Sequence, residues 1–314
     1  MSSLKEIKSR IASVRSTLKI TSAMKMVSSA KLHRAQQWIG NMVPYQEFLG
    51  GILADLVSTG VDISSMVTRN DSKRVAVLAF SSNSSLCGGF NANVIKGFNA
   101  LVRRLEAEEL RIPSEDDPEK FETLHRGHDD IDVYVIGRKM AEAVRKAGFT
   151  AKNDRSDLED HPSYDGAAEL ARQLVDSFNA GEIGRVVLLY SHYASNSSQP
   201  VTTETYLPFS AETVVSTTSP SGEAAQPRPM DEDCIIEPTP AEVVEQLLPK
   251  VLLLKIYTVL LDNYAAEHAA RTLAMQIASD NAEDLLDTLN LEYNKSRQQA
   301  ITSELLDIVG GSMN

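Results

Sequence analysis

Apolar residues recur along the start of this chain at helical spacing. Leu4, Ile7, Ile11, Val14 and Leu18 follow one another at intervals of 3, 4, 3 and 4, the stripe of a helix that packs along a left-handed seam. Ser2 or Ser3 can cap it, with Glu6 in the capping-box position after Ser3. Past Thr21 the stripe runs through Met24, Val27, Leu32, Ala35, Ile39 and Met42. After Pro44 it resumes with Tyr45, Phe48, Leu49, Ile52, Leu53 and Leu56. The pattern predicts one helix over 1–58, with Pro44 as a kink or a continuation rather than a boundary. A polar linker follows, from Gly60 to about Lys73.

A second long pattern covers 240–309. Pro240 suits a first helical turn, Pro249 predicts an early kink, and no proline or glycine occurs between Val251 and Val309. At about 1.5 Å per residue such a helix is a rod of roughly 90 Å. Its stripe reads as Tyr264, His268, Leu273, Ile277, Ala282, Leu285, Leu289, Tyr293, Ile301, Leu305 and Ile308. Small residues (Ala265, Ala269, Ala278 and Ala282) allow a neighbouring helix to come close. Gly310 and Gly311 close the pattern.

Between the two rods the period changes. Residues 75–80 are a short, wholly apolar run, as in a strand buried on both faces. A helix is predicted over 92–109, a strand over 131–136, helices over 138–147 and 165–179, and strands over 186–190 and 201–207. Such alternation predicts a mostly parallel sheet with helices on its faces. The stretch 105–130 is acidic and holds Pro113 and Pro118, and reads as an exposed insertion in one crossover. The expected organisation is a long N-terminal helix over 1–60, a Rossmann-like α/β domain over 74–210, a linker segment over 211–239 with a short strand at 234–236, and a long C-terminal helix over 240–314. The fold class is an antiparallel coiled coil of the two terminal helices plus a central α/β domain.

Charge supports the pairing of the ends. Residues 1–40 carry eight basic side chains and one acidic one, whereas 262–314 carry three basic and nine acidic. Composition is otherwise ordinary, with 42% hydrophobic, 24% charged and 6% aromatic residues among 314, and a net charge of −12. That balance argues against broad nucleic-acid binding. Cys87 and Cys234 are the only cysteines, so no disulfide framework is implied and a reducing compartment is expected. No apolar run reaches the roughly 18–20 residues of a membrane span, and the start has no apolar signal core.

Candidate chemistry is sparse. No P-loop motif is present, and 81–91 (SSNSSLCGGFN) after the first strand lacks the dinucleotide fingerprint. It reads either as an anion site at the carboxyl end of a parallel strand or as a tight turn that needs Gly88 and Gly89 for backbone shape. Cys87 reads as a structural thiol, since no local signature places a base beside it. His125 and His128 with Asp129 and Asp130 have ligand-like spacing inside a solvated charge run. His268, beside Glu267, is expected to serve packing or an i,i+4 contact rather than catalysis, and Met24 with Met26 the seam or a partner surface. No catalytic, cofactor or metal residues are assigned.

Several segments carry a resemblance to a family. IASVRSTLKITSAMKMV (11–27), LCGGFN (86–91), EHAAR (267–271), YNKSRQ (293–298) and ITSELLDIVGG (301–311) together resemble the gamma subunits of F-type ATP synthases, over nearly the whole chain. The resemblance implies a central rotor stalk, free of catalytic residues and cofactors, that transmits torque between a membrane c ring and a hexamer of alpha and beta subunits. It implies polar contacts with the catalytic head from Arg297, Gln298, Thr302 and Glu304. It also implies an apolar bearing at Leu305, Leu306, Ile308 and Val309, and a c-ring foot at Glu237. Implied partners are the alpha, beta and epsilon subunits and the c ring, with no nucleic acid and no homo-oligomer. The implied place is the cytoplasmic face of a bacterial inner membrane. Two other readings of the residues stand beside it: a nucleotide-binding enzyme built on the α/β domain, and an unrelated coiled-coil scaffold.

Overall fold

The computed structural model describes residues 4–58, 72–113, 121–209 and 236–311. Residue contacts divide the chain into two compact units, one formed by 1–30 with 271–314 and the other by 31–270. Two long helices contribute to both: α1 (Leu4–Ser58) and α6 (Pro240–Gly311). Pro44 and Pro249 lie inside them. Each proline is exposed, as are Gly40 and Glu245 four residues earlier, so the carbonyl that loses its helical donor can turn to water.

The first unit is an antiparallel coiled coil. On α1 the shielded positions include Leu4, Ile7, Ile11, Val14, Leu18, Thr21, Lys25 and Ser28, seven residues apart in two series; on α6 they include Met275, Ser279, Ala282, Leu286, Leu289, Tyr293 and Ser296. Thr21 and Ser279 join across the seam, with their hydroxyl oxygens 2.8 Å apart. This strict seven-residue repeat corrects the stripe expected from apolar residues alone. Leu273, Ile277 and Leu285 are 38%, 52% and 43% exposed, and Val27 is 58% exposed while its neighbour Ser28 is buried. A two-helix seam covers only two positions in seven, so large apolar side chains off that repeat stay outside. Lys5, Lys8, Arg10, Arg15 and Lys19 also face solvent.

The second unit is built on a five-stranded sheet in the order β5-β4-β1-β6-β7. Its strands are β1 (Val75–Phe80), β4 (Ile131–Ile136), β5 (Ala151–Asp154), β6 (Arg185–Ser191) and β7 (Val201–Leu207). All pairs are parallel except β6 with β7. The helices are α2 (Phe90–Ala107), α3 (Arg138–Lys146), the short α4 (Asp157–Asp160) and α5 (Tyr164–Asn179). Every residue of β1 and β4 is buried, because both sheet faces are covered.

Alternate residues divide between two cores, as the period of two requires. Val75, Val77, Ala79, Val133, Val135, Val187 and Leu189 pack against Val94, Phe98 and Leu101 of α2 and Met140 and Val144 of α3. On the opposite face Ala76, Leu78, Phe80, Tyr134, Ile136 and Leu188 meet Leu170 and Leu174 of α5. That core also takes in Val244, Leu248, Leu252 and Ile256 of α6 and Leu53 and Leu56 of α1. Full burial of each large side chain contributes about 1.5–3 kcal/mol, so the sheet holds the two long helices by apolar area. Leu32 and Ala35 of α1 pack separately with Tyr264, Ala265 and Ala269 of α6.

The acidic crossover carries regular structure on either side of residues 114–120, which lie outside the described residues. Its stems are β2 (Glu109–Pro113) and β3 (Phe121–His125), an antiparallel pair. The base is tied down by Arg126, which is buried, donates to the Lys73 carbonyl at 2.9 Å and pairs with Glu108; Arg185 reaches the same carboxylate at 3.1 Å. The strand β5 and helix α4 also escaped the sequence pattern, being only four residues each. The expected strand at 234–236 falls mostly on residues outside those described; Ile236 itself is not in a strand.

Candidate functional site

Counting back from Thr21 to Leu4, and the same distance forward from Ser279, leads to Ser296. Beyond that point no described residue of α1 is left to pair with α6, yet α6 continues to Gly311. The four residues singled out for polar contacts lie on this extension, and Arg297, Gln298, Thr302 and Glu304 are all exposed. The Thr302 hydroxyl donates to the Gln298 carbonyl at 2.9 Å, which leaves its oxygen lone pairs facing outward. One turn on, Leu305, Leu306 and Ile308 are 57%, 66% and 68% exposed, and Ile301, read from the sequence as seam, joins them at 48%. The Val309 side chain lies outside the described residues. The extension thus presents a polar band followed by an apolar end.

Glu237 belongs to the other unit. It is exposed, precedes a cis bond to Pro238, and stands just ahead of the α6 N-terminus. Thr239 caps that terminus, taking the Glu242 N–H on its hydroxyl at 3.3 Å and the Val243 N–H on its carbonyl at 3.1 Å. With Pro240 in the first turn, Thr239 and Glu242 make a start signal legible in the sequence.

The loop after β1 is closed on itself. Asn91 accepts the Ser82 N–H at 3.2 Å and donates to Ser82 Oγ at 2.8 Å and to Cys87 Sγ at 3.1 Å, while the Ser82 hydroxyl donates to the Ser84 carbonyl at 2.7 Å. Cys87 is buried against Phe90, Ala266 and Ala270. The polar groups of Ser82 and Asn91 are therefore spent inside the turn. Gly88 takes φ +60°, as expected for backbone shape, but Gly89 has an ordinary φ of −82°. Leu86 takes the second left-handed position at +70°. Two of the four residues in the His125–Asp130 group, His128 and Asp130, have structural partners, and His125 and Asp129 are exposed. His128 stacks on Phe149 at 3.6 Å and approaches Glu106 at 3.2 Å, and Asp130 accepts the Gly127 N–H and pairs with Lys73.

Two further groups of polar residues come together in the second unit, and of their members the sequence draws attention only to His268 with Glu267 beside it. Glu159 of α4, Glu267 and His268 are all buried, with His268 Nδ1 2.9 Å from a Glu267 oxygen. Burial pushes the Glu159 carboxyl up to about 8, and Glu267 and Asp160 push the same way against Lys31 and the Asn83 N–H. Burial followed by Glu267 likewise raises the Tyr264 phenol to about 12. Adjacent polar residues in EHAAR were the signal for Glu267 and His268; nothing local marks Glu159. The second group joins β6 to α6, through His192 with Asp262 and Ser191 with Asn263. The hydrogen bond to Asp262 is the main cause that raises His192 above its usual value.

Comparison with known proteins gives these surfaces a setting. A family model described as ATP synthase matches residues 3–313. A protein of Phocaeicola vulgatus named ATP synthase gamma chain is 48% identical over 314 residues, covering 100% of both chains. One of the same name from Bacteroides fragilis is 49% identical, again over 100% of both. Among solved structures, the rotor of the Euglena gracilis mitochondrial ATP synthase matches with a TM-score of 0.59 at 16% identity, over 95% of this chain and 98% of that one.

Proposed function

Since this chain belongs to the ATP synthase gamma-chain family, we propose how its surfaces serve the rotor stalk of that complex. The free extension of α6 enters the ring of alpha and beta subunits, and the second unit, with Glu237, faces the epsilon subunit and the c ring. The chain makes and breaks no bonds itself. It sits peripherally on the cytoplasmic face of a bacterial inner membrane and carries torque from proton flow to nucleotide chemistry in its neighbours. No helix among the described residues is long and apolar enough to cross a membrane.

One observation carries this reading: α6 outruns its partner helix, and the side chains it exposes there are first polar and then apolar. A single asymmetric shaft inside a ring of similar subunits cannot touch each alike. It shifts each subunit's conformational equilibrium by as much as its contacts differ between the states. Arg297 and Glu304 offer charge-assisted hydrogen bonds, which depend on orientation and so engage. Leu305, Leu306 and Ile308 offer contacts without direction, which let the end turn.

The experiment is to replace Arg297 by Ala, and separately Thr302 by Val, in the assembled complex. ATP-driven proton pumping per ATP hydrolysed is expected to fall several-fold. Both side chains are exposed, so the melting of the purified chain should move by no more than about 0.5 kcal/mol. Unchanged pumping per ATP in both variants would refute the assignment of these contacts.

A further inference from the structure

The end of the sheet is joined to α6 by side chains that take the place of a strand. β1 pairs with β6 only as far as Leu189 and ends at Phe80, while on its other edge the bonding to β4 continues, with the Ser81 N–H going to Ile136. Residues two apart on a strand direct their N–H groups to the same side. The N–H groups of Ser191 and Tyr193 therefore point to where β1 has ended. Both are taken up by α6: Ser191 donates to Asn263 Oδ1 at 3.2 Å and Tyr193 donates to Asp262 Oδ1 at 2.9 Å. Between them, the His192 N–H faces the other way and donates to the Pro200 carbonyl at 2.9 Å. The second Asp262 oxygen lies 2.7 Å from His192 Nδ1. Asn263 is buried and Asp262 largely so.

Other polar ties flank this one. Lys255 pairs with Glu204 of β7 at 2.8 Å, and the Tyr206 hydroxyl donates to the Leu252 carbonyl at 3.1 Å. The Tyr193 hydroxyl receives the Gln36 amide of α1 at 2.9 Å and donates to Asn196 at 2.7 Å.

The physical contrast lies in direction. The apolar contacts of α6 with the sheet depend on area and tolerate rotation. Hydrogen bonds to two strand N–H groups do not. Advancing α6 by one residue moves each side chain about 1.5 Å along the axis and about 100° around it, which removes both acceptors from the strand. We infer that Asp262 and Asn263 are positioning residues: they fix the angular setting of α6 on the sheet and carry the twisting load between them. This inference rests on the rotor reading above.

The test uses the complete complex in sealed vesicles and the purified full chain. Asp262→Ala and Asn263→Leu each remove one acceptor; Asp262→Asn retains one for the Tyr193 N–H and serves as the conservative control. In the purified chain, hydrogen exchange at the amides of residues 191 and 193 should speed up about ten-fold in the first two variants, the equivalent of one lost buried hydrogen bond. In vesicles, unloaded ATP hydrolysis should stay near the parental rate. Pumping per ATP should decline several-fold more steeply than in the parent as the opposing proton gradient grows, with Asp262→Asn close to parental.

Released amides with a parental load dependence would overturn the inference, and so would unreleased amides. Should Asp262→Ala yield no folded chain, Asn263→Leu alone decides by the same two readouts. The rotor reading fails by a different result: complex assembled without this chain pumping as well as the parent.

Discussion

The hydroxyl of Thr21 and the hydroxyl of Ser279 form a buried hydrogen bond of 2.8 Å across a seam of mostly apolar residues. Thr21 has one proton, and it also lies 3.1 Å from the Leu18 carbonyl as a donor. The chain of donation therefore runs from Ser279 to Thr21 to Leu18, and each hydroxyl proton has a place. Removing Thr21 alone, as Thr21→Val, leaves the Ser279 hydroxyl buried without its acceptor. A loss of about 1–2 kcal/mol is expected. Adding Ser279→Ala should recover most of it, because replacing both partners by apolar groups is close to neutral. A double-mutant cycle by denaturant unfolding measures this coupling directly; additive losses would mean the bond contributes nothing.

Glu159 predicts a dependence of stability on pH. Its carboxyl sits under burial and beside Glu267 and Asp160, opposed by Lys31, and is raised from 4.5 to about 8. The folded state thus holds the proton more tightly than the unfolded chain. That stabilisation is complete below about pH 4.5 and is lost as pH rises through about 8. Gln mimics the protonated acid. Glu159→Gln should match the parent near pH 4.5 and exceed it above pH 8, by an amount on the order of a few kcal/mol. Melting curves across this range test it, and a constant difference between the two proteins would contradict it.

Gly137 predicts a backbone cost. It leaves β4 at φ +103°, and a Cβ there would run into the Ser81 carbonyl. The same turn lets the Met140 N–H reach Ser81 Oγ at 2.8 Å, at the start of α3. Gly137→Ala should cost about 2–3 kcal/mol through strain and displacement of this turn. By contrast, Gly40→Ala, at a helical position with open space around it, should stabilise by a few tenths of a kcal/mol to about 1 kcal/mol. Equal effects at the two positions in thermal unfolding would contradict the assignment.

Much of this architecture could be read from local pattern. The heptad spacing of Leu4 to Leu18 is enough to specify a helix with one sticky edge. The continuous apolar runs at 75–80 and 131–136 specify strands covered on both faces, because such runs cannot face water. Thr239, Pro240 and Glu242 mark a helix start by the needs of its unpaired N–H groups. The signature segments near both ends carried the family, and with it the exposed residues from Arg297 onward.

Tertiary structure alone decided which of several apolar residues face a partner and which polar residues do not face water. Leu273, Ile277 and Leu285 are as apolar as Leu286 and Leu289, but the second helix fills only one line along α6. Nothing in the neighbourhood of Glu159 announces burial, since groups that face it, Lys31, the Asn83 N–H and Glu267, are far away in sequence. Asp262 and Asn263 look like ordinary helix-surface residues until β1 stops short and leaves two N–H groups of β6 to be satisfied. Local spacing determines which elements form, because backbone geometry repeats every few residues; which groups they bring face to face depends on contacts between distant segments, and no short window of sequence contains both sides of such a contact.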